Sequence, residues 1–158
     1  MFLAGVEIRQ ASSADEIEMA RVLFQEYAAA LAIDLTYQGF ADELASLPGC
    51  YAPPHGRLLV AWLGDEVAGC VALRPMADDV CEMKRLYVRP AFRSGGIGKL
   101  LAEAIVEEAR QIGYVTMRLD TVPKLAAATR LYEVLGFVRR DAYYETPVVE
   151  TIFMELAL

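Results

Sequence analysis

The chain has 158 residues, 56% of them apolar, and a formal net charge of −7. That length suits one domain with a full core, taken here as residues 1–158, and the charge excludes a general nucleic-acid surface, which needs clustered cations. Apolar runs such as Ala28–Ile33 and Leu58–Leu63 fall far short of the roughly 18–20 residues a membrane span needs, so the apolar surplus belongs to a core.

Val6–Gln10 alternates and predicts a first strand. Glu7 interrupts the apolar start, and neither a basic leader nor a small-residue cleavage site accompanies it, the pattern of a cytoplasmic protein. Ser13 and Glu16 form a Ser-x-x-Glu capping box, after which Ile17, Ala20, Leu23, Phe24, Tyr27 and Leu31 follow at helical spacing. A short helix is expected over Phe40–Leu47, ending at Pro48-Gly49. Arg57–Leu63 and Glu66–Leu73 read as strands joined by Gly64-Asp65, a hairpin signal. Val80–Val88 is the next strand, with Glu82, Lys84 and Leu86 expected on one face.

Ile97, Leu100, Leu101, Ala104, Ile105, Ala109 and Ile112 mark one side of a helix that Gly113 ends. Thr116–Asp120 is a short strand, and Pro123 opens a helix that stops at Gly136. Strands near Phe137–Arg140 and Thr151–Leu158 close the chain. The order β-α-α-β-β-β-α-β-α-β-β predicts an α/β domain, a mixed and mostly antiparallel sheet flanked by helices.

Cys50, Cys70 and Cys81 form no CxxC pair, and His55 is the single histidine, set in a Pro-Pro-His-Gly loop. Neither a disulfide framework nor a metal site is expected from them, and a Cys–His nucleophilic pair would have to recruit that loop.

Between Lys84 and Lys99 lie Lys84, Arg85, Arg89, Arg93 and Lys99 with no acidic residue, an island of positive charge in an acidic chain. Such a run by itself reads as a solvated face or as a local anion site. Inside it a strand meets a Pro-bounded turn, glycines at 95, 96 and 98, and the start of a helix. Outward-facing N–H groups and the positive end of the helix dipole make that arrangement a phosphate cradle. A P-loop fails here, with Arg93 and Leu100 where glycine and Ser/Thr belong, and a dinucleotide fingerprint fails at Leu101. The pattern Arg/Gln-x-x-Gly-x-Gly/Ala is matched in full by Arg93-Ser94-Gly95-Gly96-Ile97-Gly98.

With Met83-Lys84-Arg85-Leu86-Tyr87-Val88-Arg89-Pro90 before it and Leu131-Tyr132-Glu133-Val134-Leu135-Gly136-Phe137 after it, this segment resembles the GNAT N-acetyltransferases. The element order resembles that family's too. The resemblance implies an acyl-CoA N-acyltransferase fold and direct transfer from acetyl-CoA, the acetyl-donor co-substrate, to an amine in a ternary complex, without a metal. It implies a bulge that splays the strand ending at Val88 from its neighbour, so that backbone groups of Leu86, Tyr87 and Val88 pair with the pantetheine arm. Arg93, Ser94, Gly95, Gly96, Ile97, Gly98 and Lys99 would hold the pyrophosphate.

The resemblance also makes Tyr132 the general acid toward the departing thiolate, although its place on an apolar stripe reads equally as core. Glu82 is the candidate base, against an ordinary ion-paired glutamate or a water chain in its place. Leu125 departs from the family, many of whose members carry an asparagine there against the coenzyme. Acceptor loops would be Leu31–Phe40, with Asp34 and Tyr37, and Asp141–Pro147, with Tyr143, Tyr144 and Glu145. The expected partner is a small-molecule or peptide amine, with no nucleic acid and no membrane; monomer and homodimer both stay open. Two alternatives are a non-catalytic acyl-CoA-binding module of the same fold and a nucleotide-binding enzyme using the glycine loop.

Overall fold

A computed structural model describes residues 5–158. The first strand, β1 (Val6–Gln10), leads to helix α1 (Ala14–Leu31), which starts where the capping box directs. The Ser13 hydroxyl accepts from the Glu16 amide at 3.1 Å, and Glu16 Oε1 accepts in return from the Ser13 and Ser12 amides at 3.0 and 3.1 Å. These bonds satisfy amides that the first turn would leave unpaired. Helix α2 (Phe40–Ser46) follows, then β2 (Arg57–Leu63), β3 (Glu66–Ala77) and β4 (Val80–Val88). The second hairpin strand is longer than its sequence pattern, because β4 folds back on it and pairs as far as Ala77.

Helix α3 (Ile97–Ile112) carries the chain to β5 (Thr116–Thr121), beside and parallel to β4. Pro123–Leu125 then forms a short 3₁₀ turn, not the opening of the helix itself. Leu125 leaves helical geometry with φ −93° and ψ 51°, so α4 begins at Ala126 and ends at Val134. Strands β6 (Val138–Arg140) and β7 (Ile152–Ala157) close the sheet, whose order is β1-β2-β3-β4-β5-β7-β6. Apart from β4 with β5, the neighbours pair antiparallel.

One face of the sheet buries Met83, Met117, Leu119 and Met154 against Leu101, Ile105 and Ala109 of α3 and Tyr132 of α4. The other buries Leu58, Val60, Cys70 and Tyr87 against Leu23 and Phe24 of α1. Among the described residues no helix is long and apolar enough to cross a membrane.

Two irregularities in β4 shape the middle of the molecule. Against β3, Cys70 faces Tyr87 while Ala72 faces Lys84, which leaves one extra residue on β4. Arg85 takes up that residue with φ +62°, a left-handed conformation costly for a side chain of its size. Against β5, pairing covers Val80 to Glu82 only. Beyond Glu82 the two strands part, and β5 continues to Thr121 with β7 as its partner.

The bulge corrects the expected strand face. Glu82 and Lys84 share the α2 side, but the extra residue reverses the alternation, so Leu86 packs with the α3 cluster and Tyr87 with the α1 cluster. Arg85 therefore also points toward α1 and α2. Its guanidinium is held by Glu43 through Nε at 2.9 Å and Nη2 at 2.8 Å, and stacks on Phe40 at 5.1 Å and Tyr27 at 5.7 Å.

Candidate active site

The parting of β4 from β5 opens a cleft of 610 Å³, lined by Leu86, Tyr87 and Val88, by Phe92, Arg93, Ser94, Gly96, Ile97 and Gly98 around the start of α3, and by Leu125, Ala126, Ala127, Ala128 and Leu131. Its glycine-rich end is shaped by backbone. Ser94 and Gly96 are left-handed, at φ +70° and +86°, and the amide of Leu100 bonds the Gly96 carbonyl. The amides of Ile97, Gly98 and Lys99 thus lack helical partners, and successive N–H groups of alternating hand form an anion-binding concavity. A Cβ at Gly98 would meet only Val88 Cγ2, at 3.7 Å, an ordinary contact. Packing does not demand glycine there; the missing side chain instead leaves the cleft wall bare.

Arg93 donates from Nε to the Val88 carbonyl at 2.9 Å and lies 5.9 Å over the Tyr87 ring. Gly95 and Lys99 flank the cleft and do not line it. Lys124, absent from the sequence reading, stands at the opposite rim, where Nζ caps the Leu31 carbonyl at 2.9 Å. Leu125, in the place of the asparagine, closes that wall with an apolar cluster of Leu31, Leu35 and Val122.

At the inner end of the cleft a 20 Å³ pocket passes between the strands, lined by Tyr27, Lys84, Leu86, Asp120, Thr121 and Tyr132, with Met83, Arg85 and Leu125. Tyr132 is buried against Phe137, ring centroids 5.7 Å apart, and burial pushes its phenol above the ordinary value. Tyr132 is part of the core and also lines the gap. The Thr121 hydroxyl is buried and has no hydrogen-bond partner among the described residues. An orphaned hydroxyl is costly unless a ligand or water completes it.

Through Lys84 this gap adjoins a second pocket, of 350 Å³, between β4 and α2. Glu82 lines it but is only 1% exposed, because both of its oxygens are engaged. Oε1 accepts from Arg74 Nε at 2.7 Å, and Oε2 from the Tyr143 hydroxyl at 2.6 Å. Burial first, and the Glu82 charge second, raise the Tyr143 phenol. Tyr37 and Tyr144 line the same pocket, the latter bonded to Asp120.

Asp34 is exposed and occupied with the Thr36 amide, at 2.9 Å, and Glu145 lies outside the pocket. His55 sits beside Asp78 and Asp79 on another face, and no group of metal-binding side chains occurs among the described residues.

Residues 18–137 match the acetyltransferase (GNAT) family. The chain belongs to the GNAT acetyltransferases. An uncharacterised N-acetyltransferase of Schizosaccharomyces pombe is 38% identical, covering 98% of this chain and 96% of its own length. Another, from Escherichia coli, is 34% identical over 85% of this chain and 83% of its own. A crystal structure of a Streptococcus agalactiae acetyltransferase superposes with a TM-score of 0.79 at 23% identity, covering 99% of this chain and all of the other. A GNAT acetyltransferase from Elizabethkingia anophelis, crystallised with acetyl-CoA bound, gives 0.70 at 21%, covering 98% and 99%. The architecture is thus the GNAT fold, and the protein is an enzyme of the N-acetyltransferase class.

Four residues of this GNAT site escape the sequence reading. Thr121 and Lys124 follow an unremarkable strand end. Arg74 becomes relevant only because β3 outruns its sequence pattern and pairs it with Glu82. Gly69 carries a usable signal, an isolated glycine in a strand. A Cβ there would lie 2.4 Å from the Tyr87 carbonyl oxygen, so glycine lets β3 close on the edge of the cleft.

Proposed function

We propose that this enzyme, acting as one domain over residues 1–158, moves the acetyl group of acetyl-CoA directly to an amine within a ternary complex. The observation that carries the reading is the opening of β4 from β5 beside the start of α3, with the inner pocket joining it to a second cavity. The cleft has the volume, the apolar walls and the anion-binding end that a pantetheine arm and pyrophosphate require. Arg93 and Lys99 supply charge at the phosphate end.

With no β5 residue paired beyond Glu82, the β4 backbone along Leu86, Tyr87 and Val88 lacks a strand partner on that side and can bond the coenzyme, except at the Val88 carbonyl, which Arg93 already occupies. An N–H placed at the thioester oxygen is worth about 10²–10³ in rate. Tyr132, kept protonated by burial, donates to the thiolate as it leaves. A lysine-like amine arrives as an ammonium with a pKa near 10, so a proton must go elsewhere before attack. Glu82 faces the acceptor pocket, fixed by Arg74 and Tyr143, and takes that proton through a bridging water.

Initial-rate kinetics with both substrates varied test the ternary complex: intersecting double-reciprocal lines are expected. Parallel lines would mean a covalent acetyl-enzyme and overturn direct transfer.

A further inference from the structure

Resting on that reading, we propose that the acceptor carries a carboxylate close to its amine, as a free amino acid does, and that Lys84 and Arg74 bind it. The argument is a census of charge around the 350 Å³ pocket. Glu82 is paired with Arg74 at 2.7 Å, and Glu43 with Arg85 at 2.8 Å. Lys84 has no carboxylate within 4.0 Å among the described residues; its Nζ donates to the neutral amide oxygen of Gln38 at 3.1 Å. A half-buried ammonium with an amide for company keeps much of its desolvation cost. Burial, with Arg85 and Arg74 nearby, accordingly lowers the Lys84 pKa against the pull of Glu82 and Asp120. An anionic group in the pocket would remove that cost.

Arg74 adds the second half of the site. Its Nε and Nη2 hold Glu82, and Nη1 has no protein partner among the described residues. That side chain is 36% exposed, at the mouth of the same pocket. Along β4, Lys84 lies between Leu86, beside the coenzyme cleft, and Glu82, opposite Arg74. Two residues of strand span about 7 Å. Because Lys84 lines both the pocket and the inner gap, a carboxylate near it leaves an amine a few bonds away at that gap. The walls offer Tyr37, Tyr51 and Tyr144 to the remainder of the molecule, and the volume limits it to a small one.

The test compares free L-amino acids with their α-amides and with the matched amines, tyramine for tyrosine and cadaverine for lysine, at saturating acetyl-CoA. The acids are expected to react with at least tenfold higher kcat/KM. Lys84→Met and Lys84→Gln should raise KM for the acids tenfold or more and leave KM for the amides and amines unchanged. Retained acetyl-CoA binding by calorimetry establishes that the variants are folded. Equal or better use of amides and amines would overturn the inference, as would an equal loss on both classes in the variants or no transfer to any of these compounds by protein that binds acetyl-CoA. If the wild-type protein binds no acetyl-CoA, the parent reading itself fails.

Discussion

The Tyr143 hydroxyl donates to Oε2 of Glu82 at 2.6 Å, tying the segment between β6 and β7 to the central strand 61 residues away in sequence. Tyr143 also packs edge-on against Phe153 and lies near both Arg118 and Arg140, so the contact is held from several sides. Tyr143→Phe keeps the ring and leaves one buried carboxylate oxygen without its donor. The expected loss is about 1–3 kcal/mol of stability by denaturant titration, with a larger fall in kcat than in acetyl-CoA affinity. An unchanged kcat would show that the orientation of Glu82 is irrelevant to turnover.

Tyr132→Phe removes a hydroxyl at the inner gap and leaves the packing against Phe137 in place. Acetyl-CoA should bind as before while kcat falls about 10²-fold or more, the scale of a lost general acid. Turnover within twofold of wild type would return Tyr132 to the core alone.

Arg85 is buried in a left-handed conformation and paired with Glu43 on α2. Glu43→Ala leaves that guanidinium uncompensated. A loss of about 3–5 kcal/mol is expected, as for other broken buried pairs, together with weaker acetyl-CoA binding as the bulge relaxes. Chemical denaturation and calorimetry on the same variant measure both effects.

Carboxylates held low in the folded state, Glu16, Glu26 and Glu155 among them, contribute to the acid limb of stability. Glu16 is lowered to about 2 by the backbone amides it caps, Glu26 is lowered by its bond from Arg89, and Glu155 by its bond from Arg118. Each is depressed in the folded state, so its contribution is complete above the ordinary glutamate value near 4.3 and is lost as pH falls through the lower folded value. The melting temperature should hold steady from pH 7 to 5 and drop steeply below about pH 4. A steady decline beginning at pH 7 would point to a group other than these.

What the sequence conveyed well was local. The Ser13–Glu16 box, the Gly64-Asp65 turn and the glycine loop each act within a few residues, and each lies where the pattern places it. The bulge at Arg85 could not be read that way, because an extra residue exists only relative to the partner strand; strict alternation assigned Leu86 to the wrong face. The same holds for the surroundings of Glu82. Arg74 and Tyr143 reach it through tertiary pairing, and nothing adjacent in sequence announces either. Leu125 lines the cleft as part of an apolar cluster with Leu31, Leu35 and Val122.

In the proposed function, the start of α3 holds the pyrophosphate of acetyl-CoA. Gly98→Asp places a negative charge where that pyrophosphate would sit. A Cβ at Gly98 would make only an ordinary contact with Val88, and Gly98 lacks the positive φ of Gly96; a carboxylate in the first turn of a helix is otherwise favourable. By calorimetry, acetyl-CoA should bind tightly to the wild type and at least tenfold more weakly to the variant, with no fall in melting temperature. Equal affinity in the two proteins, or no binding in the wild type, would contradict that placement of the pyrophosphate.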